Sequence, residues 1–322
     1  MKPIEQVYLK AKRLRIPVAI HFDLTYRCHQ RCLHCYLPET WRRGEGPLQE
    51  LGTNEVIGIL EQLAAAGTFF LTFSGGEILL RDDLFTILEH ARRLNFSTSL
   101  MSSGTLGLDE AKVGRLKDLG IGEMLFSLYS AEAAVHDRVT GNPGSFARLC
   151  GTVEACRSRG IYVVFNCLAM GLNYKEIMAL KEFGDRYESN VRLDDHLAPR
   201  WDRRPHHPDL PLTDEAREEL DQVRRNVEPR RAEPLTVPQD FEDEDESCSA
   251  AFCMAYISPQ GEVWPCLEIP WTCGNLTREK FLDIWNDSAE LNRVRQVVIS
   301  EYSGEELVCH YLRRTGAIPK TS

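Results

Sequence analysis

Short apolar, β-rich runs alternate with amphipathic helical patterns from residue 18 to about residue 197 of this 322-residue chain. The runs are VAIHFDL (18–24), TFFLTF (68–73), FSTSLM (96–101), MLFSLY (124–129), IYVVFNCLAM (161–170) and VRLDDHL (191–197). Between them, apolar residues recur at i, i+3, i+4 and i+7, as at residues 56–63, 84–91 and 146–153. This alternation predicts an α/β fold in which a parallel sheet, covered by helices, curves into a partial (β/α)6 TIM-like barrel.

The chain changes character after these repeats. Residues 199–246 are rich in proline and charge and contain one helical stretch at 213–226, and cysteines return from Cys248 beside a predicted β-hairpin. We expect a barrel at 1–198, a linker with one helix at 199–246, and a small domain with a β-hairpin and a helix at 247–322. The acidic run 240–246 is predicted to be solvated charge, or a strip that faces a basic peptide.

Charge and cysteine content narrow the class of protein. The net charge of -10, from 38 Lys and Arg against 48 Asp and Glu, disfavours nucleic-acid binding. No apolar run reaches the roughly 18 residues of a membrane span, and the N-terminus lacks the pattern of a signal peptide. We therefore expect a cytoplasmic protein without membrane or nucleic-acid partners. In that reducing compartment, 11 cysteines, an odd number, favour metal binding or thiol chemistry over disulfides.

Cys28, Cys32 and Cys35 form a C-x3-C-x2-C loop directly after the first predicted strand. Thiolates this close in sequence favour one soft metal centre, and iron–sulfur clusters are held by such ligands. Three local ligands suit a four-iron cluster that leaves one iron open for a substrate or cofactor. The alternative is a zinc site completed by His29 or His34.

This loop resembles the cysteine motif of the radical S-adenosylmethionine (SAM) enzymes, whose three cysteines are followed by an aromatic residue, here Tyr36. The resemblance implies SAM as cofactor and a [4Fe-4S] cluster whose open iron binds the amino and carboxylate groups of SAM. In that family, an electron from the reduced cluster cleaves SAM into methionine and a 5′-deoxyadenosyl radical. The radical then abstracts a hydrogen atom from the substrate.

Further family-like positions follow the later strands, whose carboxyl ends form the active face of a β/α barrel. The turn Ser74-Gly75-Gly76-Glu77 resembles the family's GGE motif, whose backbone holds the SAM amino group, and glycine permits that close approach. The resemblance also assigns SAM contacts to Ser103, Ser127, Arg138, Asn166 and Leu168. Arg138 would pair with the SAM carboxylate, because guanidinium is a bidentate donor. A surface arginine at 138 and a core amide at 166 are the alternatives.

The C-terminal cysteines resemble the SPASM/twitch extension of radical SAM enzymes, in which a hairpin and a later segment supply thiolates. Because only Cys309 follows the FLDIW helix, the resemblance implies the short twitch form with one auxiliary cluster. The expected ligands are Cys248, Cys253, Cys266 and Cys309, with zinc as the alternative metal. Three roles are open for Cys273. It replaces Cys253 as a ligand, it donates a hydrogen atom to a substrate radical, or it is a buried thiol without a chemical role. No other catalytic residue is assigned.

The resemblance extends over residues 16–311 and implies a radical SAM oxidoreductase or maturase. Twitch and SPASM enzymes most often modify ribosomally made peptides, so a peptide is the first expected substrate. A tetrapyrrole or other small-molecule cofactor intermediate is the second, and a non-catalytic iron–sulfur or zinc protein is the third possibility. Expected partners include a reductant such as ferredoxin or flavodoxin. Because the first strand is predicted already at residue 18, a peptide would need a separate leader-peptide recognition protein or a direct groove.

Overall fold

A nine-stranded sheet organises the computed structural model, which describes residues 3–46, 49–226 and 248–300 together with Cys309 and Leu312. Its strands are β1 (Ala19–Thr25), β2 (Phe70–Gly75), β3 (Ser97–Ser102), β4 (Glu123–Ser127), β5 (Tyr162–Leu168), β6 (Asn190–Asp194), β7 (Met254–Ile257), β8 (Glu262–Trp264) and β9 (Gly274–Asn275). Their order is β6-β5-β4-β3-β2-β1-β7-β8-β9. Strands β1 to β6 are parallel and adjacent in chain order, and β6 and β9 form the two edges. The sheet is open, which confirms the predicted partial barrel.

Most helices connect the parallel strands and cover the outer face of the sheet, whereas the N-terminal helix packs with Ala19, Phe70 and Cys253. The helices are α1 (Pro3–Leu14), α2 (Glu39–Arg42), α3 (Thr53–Ala65), α4 (Leu84–Arg93), α5 (Glu110–Asp118), α6 (Ala133–Thr140), α7 (Ser145–Ser158), α8 (Ile177–Arg186), α9 (Asp214–Asn226), α10 (Phe281–Asp287) and α11 (Ala289–Ser300). The apolar stripes predicted for α3 and α4 are both buried, as the 3.6-residue period requires. Within the described residues, no helix combines the length and the hydropathy needed to cross a bilayer.

The two faces of the parallel sheet differ in polarity. Phe22, Phe73, Phe126 and Phe165 are fully buried between the sheet and the helices. Successive side chains of a strand point to opposite faces, so the neighbours of these phenylalanines face the barrel interior. That inner row, in register across β1 to β5, is His21, Thr72, Ser99, Glu123 and Tyr162. The outer face is apolar, whereas the inner face combines this polar row with a buried apolar cluster of Leu125, Tyr162 and Val164.

The C-terminal hairpin continues the sheet of the barrel. Strand β7 pairs with β1 in parallel, from Ala19 opposite Met254 to Phe22 opposite Ile257, and β8 and β9 follow as antiparallel strands. Arg295 of α11 is buried and donates to the carbonyl oxygens of Ala251 at 2.7 Å and Trp285 at 2.8 Å. The predicted boundary near residue 247 therefore separates two segments of chain that share one sheet.

The first part of the predicted linker packs on the barrel. The amide of Trp201 donates to the Tyr36 carbonyl at 2.9 Å, and the Leu210 carbonyl accepts from the Gly171 amide at 2.9 Å. The helical stretch predicted at 213–226 corresponds to α9. The acidic run 240–246 lies outside the described residues.

Arg81 clamps the carboxyl end of β1. Its guanidinium donates to the carbonyls of Leu24 at 2.8 Å and Leu51 at 3.0 Å, and to both carboxylate oxygens of Asp83 at 2.8 and 2.7 Å. The hydrogen bonds from Arg81 lower the pKa of Asp83 from 3.8 to about 2. Charged Asp83 thus completes the buried hydrogen bonding of Arg81.

We predict a pH-dependent loss of stability on replacing Asp83 with asparagine. A carboxyl group whose pKa is lower in the folded state stabilises the fold above its unfolded pKa and ceases to do so as the pH falls through the folded value. Asp83→Asn should lower the free energy of unfolding by about 2 kcal/mol at pH 7, and the difference from wild type should vanish between pH 4 and pH 2. Urea unfolding, carried out across this pH range, measures the free energy of unfolding of the variant and of the wild type. Exposed Asp82→Asn is the control, and an equal effect of both substitutions would contradict the clamp.

Candidate active site

The three cysteines of the first motif lie in the loop that leaves β1 at the carboxyl edge of the sheet. Backbone hydrogen bonds hold this loop: the Cys28 amide donates to the Arg42 carbonyl, and the amides of Arg31 and Leu33 donate to the last residues of α6, each at 2.9 Å. Cys28, Cys32 and Cys35 are half-buried free thiols. The fold therefore brings three sulfur donors to the face where barrel enzymes act.

Burial and nearby charges, above all that of Arg42, set the electrostatics of the loop. Burial raises the pKa of the Cys28 thiol to about 12 and also raises the pKa of Cys32 and Cys35. The positive charge of Arg42 lowers the pKa of all three thiols, against the larger effect of burial. Metals bind the thiolate form, so positive charge at this loop favours ligation.

Each of the two histidines of the loop makes one contact outside it, and each keeps a buried Nδ1 atom without a hydrogen-bond partner among the described residues. The Nε2 atom of His29 lies 2.6 Å from the Thr105 hydroxyl, and the His34 ring packs on Tyr129 with 4.7 Å between ring centroids. Within the part of the chain that the structure describes, no three His, Cys, Asp or Glu side chains are grouped to hold a single metal ion. The donor set at this loop is three thiols, which suits the iron of a cluster.

The glycine turn after β2 lies against the backbone that precedes the cysteines. The Gly76 amide donates to the Thr25 carbonyl at 2.7 Å, and the Glu77 amide donates to the Arg27 carbonyl at 2.8 Å. Gly75 has a φ of +139°, and a Cβ there would lie 2.1 Å from the Thr25 oxygen. Glycine is thus required here by contact with the neighbouring strand end as well as by its backbone conformation.

Glu77 is fully buried and links this turn to the end of β3. Its carboxylate accepts from the Ser102 hydroxyl at 2.8 Å and from the Ser103 amide at 2.9 Å, and the Ser103 hydroxyl also donates to it. The Ser103 hydroxyl lies 2.9 Å from that of Thr105, which also contacts His29 and Gln30. A continuous hydrogen-bonded network therefore connects the glycine turn, β3 and the cysteine loop.

The other predicted SAM contacts are distributed around the same edge. Tyr36 is half-buried and packs on Trp201, with 5.0 Å between ring centroids. Ser127 and Asn166 are opposite each other in β4 and β5, on the inner face, and Leu168 packs near Leu33 of the cysteine loop. Arg138 is exposed on α6 and has no side-chain partner among the described residues. All of these assignments to SAM remain predictions.

The C-terminal cysteines form a second group near the amino end of β7. Cys248, Cys266 and Cys309 pack against the same apolar core, and burial together with the charges of Cys248, Glu268 and Cys309 raises the pKa of Cys266. Cys253 is fully buried beside Tyr8 and near Cys248, and its carbonyl accepts from the Ala19 amide at 3.0 Å. Cys253 belongs to a different apolar cluster from the other three thiols, and the assignment of all four to one auxiliary cluster stays a prediction.

Cys273 lies apart from both groups. Its thiol donates to the Trp271 carbonyl at 3.2 Å, and burial raises its pKa, with Ser288 and Glu290 nearby. Of the three predicted roles, this environment favours a buried thiol over a ligand or a hydrogen donor. Cys150, Cys156 and Cys167 belong to the apolar core or pack against it, where cysteine acts as a small hydrophobe.

Sequence reasoning missed a cavity of about 680 Å³ between the segment after the cysteine loop and the C-terminal hairpin. Its aromatic lining consists of Tyr26, Trp41, Trp201 and Trp264, and its charged lining of Arg27, Glu50 and Glu262. In the sequence, Trp201 within the charged stretch PRWDRRP was the feature that could have indicated this cavity.

Sequence reasoning also missed a buried network inside the barrel. Asp23 accepts from the Tyr256 hydroxyl at 2.8 Å and lies 3.0 Å from the His21 ring. The Tyr256 hydroxyl is also 2.9 Å from that of Tyr26, which lines the cavity. Polar residues at alternate positions of the first apolar run were the signal for this network.

Two family models match the chain. The model described as the radical SAM superfamily matches residues 22–184, which contain the cysteine loop and the glycine turn. The SPASM model, described as an iron–sulfur cluster-binding domain, matches residues 248–311, which contain the second cysteine group. The two resemblances found in the sequence, to the radical SAM enzymes and to their SPASM/twitch extension, are thereby confirmed.

Individual relatives are similar over most of the chain. The AdoMet-dependent heme synthase of Methanosarcina barkeri (strain Fusaro / DSM 804) is 25% identical over 316 residues, covering 92% of this chain and 89% of that protein. The PqqA peptide cyclase of Xanthomonas euvesicatoria pv. vesicatoria (strain 85-10) is 27% identical over 294 residues, with 87% and 77% covered. The structure of Streptococcus suis SuiB bound to precursor peptide SuiA matches with a TM-score of 0.68 and 16% identity, covering 91% of this chain and 70% of that chain, which supports the fold.

Gly76→Ala should destabilise the protein, because the added Cβ would lie 2.4 Å from the Arg27 carbonyl oxygen and 2.5 Å from that of Tyr26. Displacing these strand ends should cost about 1–3 kcal/mol in the free energy of unfolding, measured with urea. Gly58→Ala is the matched control, since no atom lies within 4 Å of its Cβ in α3, and it should be neutral or stabilising. Equal unfolding midpoints for the two variants would refute the close packing at Gly76.

Proposed function

Since the chain belongs to the radical SAM superfamily, we propose that it is an enzyme that modifies a ribosomally made peptide through a SAM-derived radical. A [4Fe-4S] cluster bound by Cys28, Cys32 and Cys35 would supply the electron that cleaves SAM. The glycine turn and the inner residues of β3 to β5 would hold SAM and orient it toward the barrel interior. Two relatives support a peptide substrate by name, the PqqA peptide cyclase and SuiB in complex with its precursor peptide.

The aromatic cavity is the observation that carries this proposal. Its volume of about 680 Å³ lies within the roughly 300–1,000 Å³ range of small-molecule sites and can receive side chains of a peptide. The indole N–H of Trp264 is buried without an acceptor in the part of the chain that the structure describes. Buried indole N–H groups normally have a partner, and a backbone carbonyl of a bound peptide provides one.

The charge of the lining favours a peptide over a tetrapyrrole. Tetrapyrrole intermediates carry several carboxylates and need basic residues around them. Arg27 is the one basic residue among the described residues that line the cavity, and its Nε lies 3.4 Å from the Glu50 carboxylate. With Glu262 also present, the lining is suited to a neutral or basic segment. The heme synthase relative makes a tetrapyrrole the second candidate.

The remaining parts of the proposal concern the second cysteine group and the partners. Cys248, Cys253, Cys266 and Cys309 would bind one auxiliary iron–sulfur cluster that passes electrons or contacts the substrate. A ferredoxin or flavodoxin would supply electrons, and a separate recognition protein would deliver the leader peptide. A cytoplasmic location would keep the thiols reduced.

We predict different losses for the two cysteine groups. After anaerobic reconstitution with iron and sulfide, Cys32→Ala should form no 5′-deoxyadenosine from SAM and dithionite, because the SAM-binding cluster loses a ligand. Cys266→Ala should retain part of this cleavage but lose turnover of the substrate. Cys156→Ala, at a buried thiol of α7, should retain both activities. Cleavage near wild type in both Cys32→Ala and Cys266→Ala would refute the division of roles.

Trp264→Ala should raise the KM for the peptide about tenfold. The substitution removes one buried hydrogen bond and the aromatic contact of the indole, and together these are worth roughly 1.4 kcal/mol of binding free energy. The substrate is first identified by co-expression with peptides encoded beside the gene and mass spectrometry, with tetrapyrrole intermediates tested in parallel. Trp271→Ala is the control, since Trp271 lies between two cavity residues but does not line the cavity. Turnover of a tetrapyrrole without any modified peptide would replace the first candidate by the second.

A further inference from the structure

Arg42 is a buried cation at the base of the cysteine loop. It is the last residue of the short helix α2, and the residue as a whole is 7% exposed. Its carbonyl accepts from the Cys28 amide at 2.9 Å, and its Nη1 lies 3.4 Å from the Gln30 carbonyl, inside the loop. Arg42 thus contacts the loop twice, through its carbonyl at Cys28 and through its guanidinium at Gln30, which lies between Cys28 and Cys32 in the sequence.

This guanidinium is poorly compensated. Among the described residues no carboxylate lies within ion-pair distance of it, and its buried Nε has no hydrogen-bond partner. The next residue, Arg43, shows the contrast, because its side chain is half-exposed and pairs with Glu39 one helical turn earlier. A buried charge without a counter-charge is strongly destabilising, so an anionic group is expected beside Arg42.

We propose that Arg42 is the internal counter-charge of the SAM-binding cluster and raises the reduction potential of that cluster. The proposal depends on the assignment of Cys28, Cys32 and Cys35 as its ligands. A four-iron cluster with three thiolate ligands carries a net negative charge, and this negative charge increases when the cluster is reduced. A fixed positive charge in a poorly solvated site stabilises the reduced state more than the oxidised state. Arginine suits this role because it stays protonated when buried.

The experiment compares Arg42→Met, Arg42→Lys and Arg43→Met with the wild type. Each protein is reconstituted anaerobically, its iron and sulfide are quantified, and the cluster is titrated with dithionite, without SAM, under EPR detection. Arg42→Met should reduce the equilibrium constant for reduction at least tenfold, which is about 59 mV toward negative potential for a one-electron couple. Arg42→Lys keeps the charge and Arg43→Met removes a paired surface charge, so both should titrate near the wild type.

Other outcomes are equally decisive. If Arg42→Met is folded by circular dichroism but loads no cluster, while Arg42→Lys loads normally, the charge is needed to hold the cluster, which supports the counter-charge and overturns a role limited to the potential. If Arg42→Met loads and titrates like the wild type, the proposal is wrong. A similar defect in Arg42→Met and Arg42→Lys would show that guanidinium shape, rather than charge, matters, and would also overturn it. Wild-type protein that binds no iron would instead refute the proposed function.

Discussion

The close contact between the glycine turn and the end of β1 is the constraint on which the site depends. At Gly75 and Gly76 the backbone of one strand end touches the backbone of its neighbour, so that side chains are excluded from the seam. The cysteine loop begins immediately after this seam, and Glu77 extends it to β3 through buried hydrogen bonds. Three consecutive strand ends are thereby fixed relative to one another. A cofactor bound at this edge meets a rigid surface rather than three independent loops.

The two cysteine groups lie at opposite ends of one pair of parallel strands. The first group follows the carboxyl end of β1, and Cys253 of the second group is bonded to the residue that begins β1. A seven-residue strand spans roughly 20 Å at about 3.3 Å per residue. The polar interior, with His21, Asp23 and Tyr256, lies between them. Under the proposed function, a substrate in the barrel would lie between the site that starts radical chemistry and the proposed auxiliary cluster.

Much of this arrangement follows from local sequence signals. The strand runs and the helical stripes predicted the open parallel barrel because each is a short-range periodic pattern. The cysteine spacing and the glycine turn indicated the edge that carries the chemistry. The pairing of β7 with β1, the packing of Trp201 on Tyr36 and the burial of Arg42 were not predictable in this way. Each depends on contacts between distant parts of the chain, and a buried arginine has the same sequence signature as an exposed one such as Arg43.

The parallel pairing of residues 19–22 with residues 254–257 also shapes how the protein folds. During synthesis the barrel strands emerge long before β7, so β1 has an uncovered edge while the ribosome makes the rest of the chain. Such non-local pairing slows folding, because a large loop must close before the contact forms. A chain shortened before residue 254 would leave this edge of β1 unpaired, and an unpaired strand edge is a site for association with other chains.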